Sequence, residues 1–227
     1  MTENFKIIKD SVHGLIDLKP IIVKIIDTPE FQRLRHLKQL ESLSYIYPCA
    51  VHTRFEHSIG TSYLARQFIE HLQKNQPELN ITRKEALCVE IAGLCHDLGH
   101  GPFSHLFEDL IKKVYTKRNP DASKNEIENF FVHEQASVLI FDRIFTNLES
   151  SPEFQEENLT SKDKELIKEL INPTIVKEIA NKYKNLANEK KSDTVKRGKA
   201  ANKKKEKILS EKFGITIDKS FLFEVRK

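Results

Sequence analysis

The stretch Leu94-Cys95-His96-Asp97-Leu98-Gly99-His100-Gly101-Pro102-Phe103-Ser104-His105 decides how this chain is read. Three histidines and an aspartate stand close together among two glycines and a proline. The His96-Asp97 doublet closes an apolar run of Ala86, Leu87, Val89, Ile91, Ala92, Leu94 and Cys95, which places it at the inner end of a buried segment. An imidazole beside a carboxylate is costly to bury without partners. His100 repeats the imidazole one helical turn after His96. The pattern predicts a central helix over 85–98, opened by a Thr82…Glu85 capping box and ended by a turn over Gly99 to Pro102. Gly93 within it marks a close helix contact.

Toward the N-terminus, Phe5 to Leu18 reads as two short β-prone runs around an Asp…Gly turn, a small hairpin. Pro20 opens a helix through Asp27. Thr28 as cap, Pro29 and Glu30 open a second one, expected to run to about Leu40 with Phe31, Leu34, Leu37 and Leu40 on its apolar face. The face with Gln32, Arg33, Arg35, His36 and Gln39 reads first as solvated. Tyr45 to His52 is irregular and rich in apolar and aromatic side chains. A helix then follows through Gln73, with Ile59, Tyr63, Phe68, Ile69 and Leu72 as its stripe and His57 in its first turn.

Toward the C-terminus, a helix is expected over Phe103 to Val114, a polar loop over Lys117 to Glu128, and a helix from His133 with Val138, Leu139, Phe141 and Ile144 apolar, broken at Ser151-Pro152. Weaker helices are expected over Lys162 to Ile171 and Thr174 to Leu186, a solvated Lys-rich stretch over Glu189 to Lys207, and a β-prone end over Phe213 to Val225.

With 227 residues, 39% hydrophobic and 31% charged, the composition is that of a soluble globular protein with one good core. No apolar run approaches the roughly 20 residues of a membrane span, and the first residues lack the apolar region of a signal peptide. Cys49, Cys88 and Cys95 show no C-x-x-C spacing, which favours reduced thiols in a nuclear or cytoplasmic, non-secreted protein. The net charge of +4 is unevenly placed: between Asn181 and Lys212 twelve Lys/Arg stand against four Asp/Glu.

Imidazole and carboxylate together suit a divalent metal such as Zn, Mn, Fe or Co, and the lack of nearby thiolate pairs argues against a structural zinc knuckle. His96 and Asp97 differ by about 100° around a helix, so both reach one ion only at the helix edge. A third ligand must come from another helix, and His57 is the best placed, although alone it reads as a capping or core residue.

The combination His…His-Asp resembles the HD-domain metal phosphohydrolases. Asp27-Thr-Pro-Glu-Phe-Gln-Arg-Leu-Arg35, Thr53-Arg-Phe-Glu-His-Ser58 and His96 to His105 resemble one branch in particular, the sterile-alpha-motif and HD-domain dNTP triphosphohydrolases. His133-Glu134-Gln135 and Lys219-Ser-Phe-Leu-Phe-Glu224 fit the same family. The resemblance is near-continuous from Lys6 to about Leu110 and resumes at His133. It implies an all-α HD-domain bundle with a small N-terminal β-hairpin, and hydrolysis of a dNTP to deoxynucleoside and triphosphate with a divalent metal (Mn, Fe, Zn or Mg).

By that resemblance His57, His96 and Asp97 are metal ligands, and His100, His105 and His133 line the catalytic pocket with His105 as proton donor. Glu108 stands where the family has an aspartate that orients such a histidine. Gln39 and Leu40 meet the sugar, and Arg54 binds substrate phosphate. Asp27, Gln32 and Arg35 read a guanine-nucleotide activator, GTP or dGTP, and Lys6 grips its phosphates. The resemblance assigns 1–186 to the HD domain, 187–212 to a Lys-rich linker or insertion, and 213–227 to the start of a C-terminal segment. The sterile-alpha-motif domain, a further metal aspartate and the lobe that helps build the family's tetramer fall outside this sequence, which is thus expected to be a truncated form with impaired activity. A different HD phosphohydrolase acting on nucleoside monophosphates or cyclic nucleotides, and a non-enzymatic module binding nucleotide or nucleic acid through the Lys-rich stretch, are the competing expectations.

Overall fold

The computed structural model describes residues 6–173. Strand β1 (Lys6–Asp10) pairs antiparallel with β2 (Gly14–Leu18), with Ile8 opposite Ile16. The Asp10 carboxylate accepts from the backbone N–H groups of Val12 and His13, both at 2.8 Å, and so closes the turn. Alternation sends Ile16 and Leu18 into the core and leaves Ile7 and Leu15 exposed, as expected for a sheet with one wet face.

Helices α1 (Pro20–Ile26) and α2 (Pro29–Gln32) each begin at a proline. The second helix is much shorter than the expected run to Leu40. It tightens into a 3-10 turn, Arg33–His36, and Leu37 is extended. Arg54 N–H donates to the Leu37 carbonyl at 2.8 Å, and Gln39 N–H to that of His52 at 3.0 Å. These non-local bonds take the backbone groups a longer helix would have used. Phe31 and Leu34 are fully buried, whereas Leu40 is exposed.

The long helix α3 (Arg54–Asn75) and helix α4 (Arg83–Cys95) form the centre of the domain. Capping boxes Thr53/Glu56 and Thr82/Glu85 open them by satisfying N–H groups that have no partner within the helix. Leu87, Val89, Ile91 and Leu94 of α4 and Ile59, Ala65 and Ile69 of α3 lie in one core, each large side chain contributing about 1.5–3 kcal/mol. Phe68, expected on the buried stripe of α3, is exposed beside Leu64, about 100° around the helix from the buried Ile69. A Cβ on Gly93 would stand 3.2 Å from Ala65 Cβ and 3.3 Å from the Thr61 carbonyl oxygen, so α4 seats on α3 across a notch with no side chain. Gly93→Val is expected to lower the unfolding free energy by about 1–3 kcal/mol through overpacking. An unchanged denaturant midpoint would remove the notch as the reason for this close crossing.

The remaining helices are α5 (Ser104–Arg118), α6 (Lys124–Asn129), α7 (His133–Leu148), α8 (Pro152–Glu157) and α9 (Ser161–Ile171). Helix α6 falls inside the stretch expected to be a polar loop. Its Ser123/Glu126 capping box is a local signal strong enough to start one short helix. Helix α9 packs Leu166, Ile167, Leu170 and Ile171 against α4 and α7. Leu139, expected on the apolar face of α7, is exposed, while Phe141, Ile144 and Phe145 are buried.

The result is a helical bundle with a small N-terminal hairpin. Cys88 and Cys95 are buried, and burial pushes both thiols upward, which keeps them protonated core residues; Cys49 is exposed. Among the described residues no helix is long and apolar enough to cross a membrane. The helix expected at Thr174 to Leu186, the Lys-rich stretch and the β-prone end lie outside the described residues.

Candidate metal centre and adjoining pocket

The first turn of α3 faces the end of α4. Within it, Arg54 and His57 lie one turn apart, so both project toward the same neighbour. His96 is the C-cap of α4, and Asp97 follows it into the turn. His57 Nε2 lies 3.3 Å from His96 Nε2 and 3.5 Å from Asp97 Oδ2; His96 Nε2 is 3.2 Å from Asp97 Oδ1. Three ligand atoms of these residues fall within 4.8 Å of one another.

These separations fit a metal. Bonds of about 2.0–2.1 Å in tetrahedral array put neighbouring ligand atoms roughly 3.3 Å apart. His96 Nδ1 is 2.8 Å from the Gly93 carbonyl oxygen, which makes Nδ1 the protonated nitrogen and frees the Nε2 lone pair. Burial pushes His57 below the ordinary imidazole value near 6.5, against an opposing pull from Asp97. Burial alone would raise Asp97, but the hydrogen bond from His100 and the charges of His96 and Arg54 outweigh it and hold the carboxyl well below the usual range. At neutral pH His57 is therefore a neutral imidazole and Asp97 a carboxylate, the forms in which each can ligate a metal.

A pH dependence follows. Because His57 and His100 are depressed by burial, the unfolded chain takes up protons first as pH falls below about 6.5. Stability contributed by the neutral imidazoles is thus present above 6.5 and is lost as pH falls toward their folded values. The Asp97 contribution is present above its unfolded value near 3.8 and is lost only in stronger acid. Denaturant melts of the metal-free protein should weaken as pH falls below 6.5, and bound metal should dissociate with a midpoint below 6.5. A midpoint above 6.5 in a chelator-coupled titration contradicts this assignment of protonation states.

Arg54 is buried and already engaged. Its Nη1 donates to Asp97 Oδ2, while Nε and Nη2 donate to Ser104 Oγ at 2.9 and 2.7 Å. Ser104 reaches Arg54 through backbone strain: Phe103 and Ser104 have φ of 59° and 47°, a left-handed pair costing about 1–3 kcal/mol per residue.

The pocket histidines lie beside the trio. His100 Nε2 is 3.5 Å from Asp97 Oδ1, and the His100 ring stacks on that of His133 at 3.9 Å. His105, exposed at the start of α5, meets both rings edge-on at 5.2 and 5.4 Å. Glu108 reaches His133 rather than His105: Oε2 is 2.9 Å from His133 Nδ1, while Lys112 Nζ donates to Oε1 at 2.7 Å. Burial would raise Glu108, but the hydrogen bonds of Lys112 and His133 hold it down, so it stays ionised. The longer side chain thus spans the gap to α7. Gln39 is half buried, and its Oε1 accepts no hydrogen bond among the described residues.

Asp27 caps α1, Gln32 closes α2 and Arg35 lies in the 3-10 turn that follows. Gln32 Nε2 donates to the Ile26 carbonyl at 2.8 Å, Arg35 Nε to Gln32 Oε1 at 2.7 Å, and Arg35 covers the Phe55 ring at 3.5 Å. Lys6 is exposed at the start of β1, on a separate element.

Sequence reasoning missed Ser104, Ser137 and Lys112. Gly99 N–H donates to Ser137 Oγ at 2.8 Å, and that hydroxyl donates to the His96 carbonyl at 2.7 Å. Lys112, four residues after Glu108, carried a readable helical spacing; Ser104 and Ser137 carried no local signal.

The HD-domain family model matches residues 54–211, more than half of the chain, and the chain belongs to that family. Within it the chain is related to deoxynucleoside triphosphate triphosphohydrolase SAMHD1. It is 44% identical to the Homo sapiens protein over 157 residues, which is 69% of this chain and 24% of that protein. Identity to the Danio rerio protein is 50% over 143 residues, or 63% and 21% respectively. An HD domain-containing protein of Acanthamoeba polyphaga mimivirus is 34% identical over 184 residues, 76% of this chain and 36% of that protein. The chain thus spans about a fifth to a quarter of the SAMHD1 proteins it matches.

Proposed function

We propose that this chain carries the catalytic HD domain of a metal-dependent dNTP triphosphohydrolase, which splits a dNTP into deoxynucleoside and triphosphate and is activated by a guanine nucleotide. The observation that carries the reading is the convergence of ligand atoms of His57, His96 and Asp97 beside a histidine–carboxylate pocket. His57, His96 and Asp97 would hold the metal, which when bound supplies Lewis acidity toward a phosphoryl oxygen and lowers the pKa of water.

The chain's own residues do the rest. Gln39 Oε1, buried and unpaired among the described residues, is suited to accept a hydrogen bond from a sugar hydroxyl, and Leu40 packs beside it against the sugar. Arg54 brings a charged fork to a substrate phosphate and must loosen its grip on Asp97 to do so. His105, the exposed member of the histidine cluster, donates the proton that the departing 5′-oxygen needs. Glu108 at His133 Nδ1 makes that nitrogen the protonated one and orients the ring stacked on His100, placing imidazole dipoles beside the charge that develops on phosphate. Asp27, Gln32 and Arg35 offer both acceptors and donors for a guanine edge, with Lys6 for the effector's phosphates.

The test is purified protein with Mn or Mg, dGTP and a second dNTP, with products separated chromatographically. Deoxynucleoside and triphosphate should appear together, faster when GTP is added. Folded, metal-loaded protein that makes neither product sinks the proposal, and turnover of monophosphates alone replaces it with another HD phosphohydrolase. His105→Gln should lower kcat about 100-fold with KM little changed, as expected for a lost general acid. Equal kcat for the variant would move the proton donor elsewhere.

A further inference from the structure

Arg33 has no role in the site as described so far. It opens the 3-10 turn Arg33–His36, between Gln32 and Arg35, and is half buried. Its guanidinium crosses to the turn beyond α4. There Nη1 donates to the His100 carbonyl at 2.9 Å and Nη2 to the Leu98 carbonyl. The two carbonyls bracket Gly99, between the Asp97 carboxylate and the pocket imidazole of His100.

Carbonyl groups just past a helix end lack partners within the helix, and burying them without donors is costly. A planar fork with donors on separate nitrogens can serve two carbonyls at once, whereas an ammonium is a compact point charge. On its other side the turn is held by Ser137 of α7, through Gly99 N–H and the His96 carbonyl. His100 Nε2 faces Asp97 Oδ1 at 3.5 Å and the ring stacks on His133, while Nδ1 is buried without a partner among the described residues. Both contacts depend on where the turn sets the His100 backbone.

We propose that Arg33 is a positioning residue, whose two-pronged grip on the Leu98 and His100 carbonyls sets the turn that carries His100 between Asp97 and His133. Only the turnover arm of its test rests on the dNTP reading.

The experiment compares the unmodified chain with Arg33→Lys and Arg33→Ala by hydrogen–deuterium exchange and steady-state kinetics. Exchange in peptides spanning 96–103 should speed about tenfold or more as a hydrogen bond to a charged donor is lost, with α3 and α9 unchanged. Arg33→Lys guards against a folding failure of Arg33→Ala, and guanidinium ion at millimolar concentration should restore protection to the alanine variant. In turnover, kcat should fall about 100-fold, the scale of a misplaced catalytic group, with KM and metal content unchanged. Exchange that stays at the unmodified rate over 96–103 overturns the proposal. So does exchange that rises equally in α3, α4 and α9, since that marks an arginine that only stabilises the fold. If the unmodified chain turns over no dNTP, the dNTP reading falls while the exchange result still decides the role of Arg33.

Discussion

Asp97→Ala protein is expected to purify without metal and to lose at least about a thousandfold in turnover, the ~4 kcal/mol of transition-state stabilisation a metal site typically supplies. Asp97 joins the charged contacts of the metal trio: Arg54 and His57 on one oxygen, His96 and His100 near the other. Removing it also leaves the Arg54 guanidinium, 3% exposed, without its anion. Breaking a buried pair in this way costs about 3–5 kcal/mol, so the alanine variant should also unfold at lower denaturant. Asp97→Asn separates the two effects, because it keeps the shape and a neutral acceptor for Arg54 while removing the charge a cation needs. Elemental analysis and a denaturant melt decide the matter. An asparagine variant that still holds one metal per chain would falsify the assignment of Asp97 as a ligand.

The second large effect is expected at Gly99, which looks inert in sequence. A Cβ there would overlap the His133 carbonyl oxygen, crowd Ser137 N, and stand 2.8 Å from Ala136 Cβ. The first two are backbone atoms of the opening turn of α7, so no rotamer change relieves the clash. Gly99→Ala must push α7 away from the turn, separate the His100 and His133 rings, and break the Ser137 bridge. The cost to stability should reach the upper end of the about 1–3 kcal/mol typical of overpacking. Turnover should fall about 100-fold, because a displacement near 1 Å is enough to spoil an aligned site. Metal content should hold, since His57, His96 and Asp97 precede the clash. A variant with unchanged stability and kcat would show that the turn and α7 are not held at this distance.

Most of the fold was readable because its signals are local. Thr82…Glu85, Pro20 and Thr28-Pro29 each act within one or two helical turns, and each starts an element where expected, although α4 ends at Cys95 and not at Leu98. The errors have a shared cause. Helix α2 stops short because residues 37–39 pair with 52–54, a bond pattern that no window around Leu37 contains. Phe68 and Leu139 are apolar yet exposed, since a helical stripe is defined by what packs on it and not by hydrophobicity alone. Helix α6 was legible from Ser123 and Glu126 but was outweighed by the polarity of the stretch around it.

The sequence by itself determined most of the element types and helix starts, the HD-domain family and a set of residues able to ligate a metal. These follow from periodicity, capping chemistry and motif identity, all carried by near neighbours in the chain. Only the tertiary structure decided which groups meet. It set His57 against His96 across 39 residues, turned Arg54 onto Asp97 across 43, gave Glu108 to His133 and brought Arg33 to the turn after Asp97. The physical reason lies in the seating of α4 on α3 at Gly93 and of α7 on the turn at Gly99. Those two close approaches set backbone distances to within a few tenths of an ångström, and no local rule in the sequence does that.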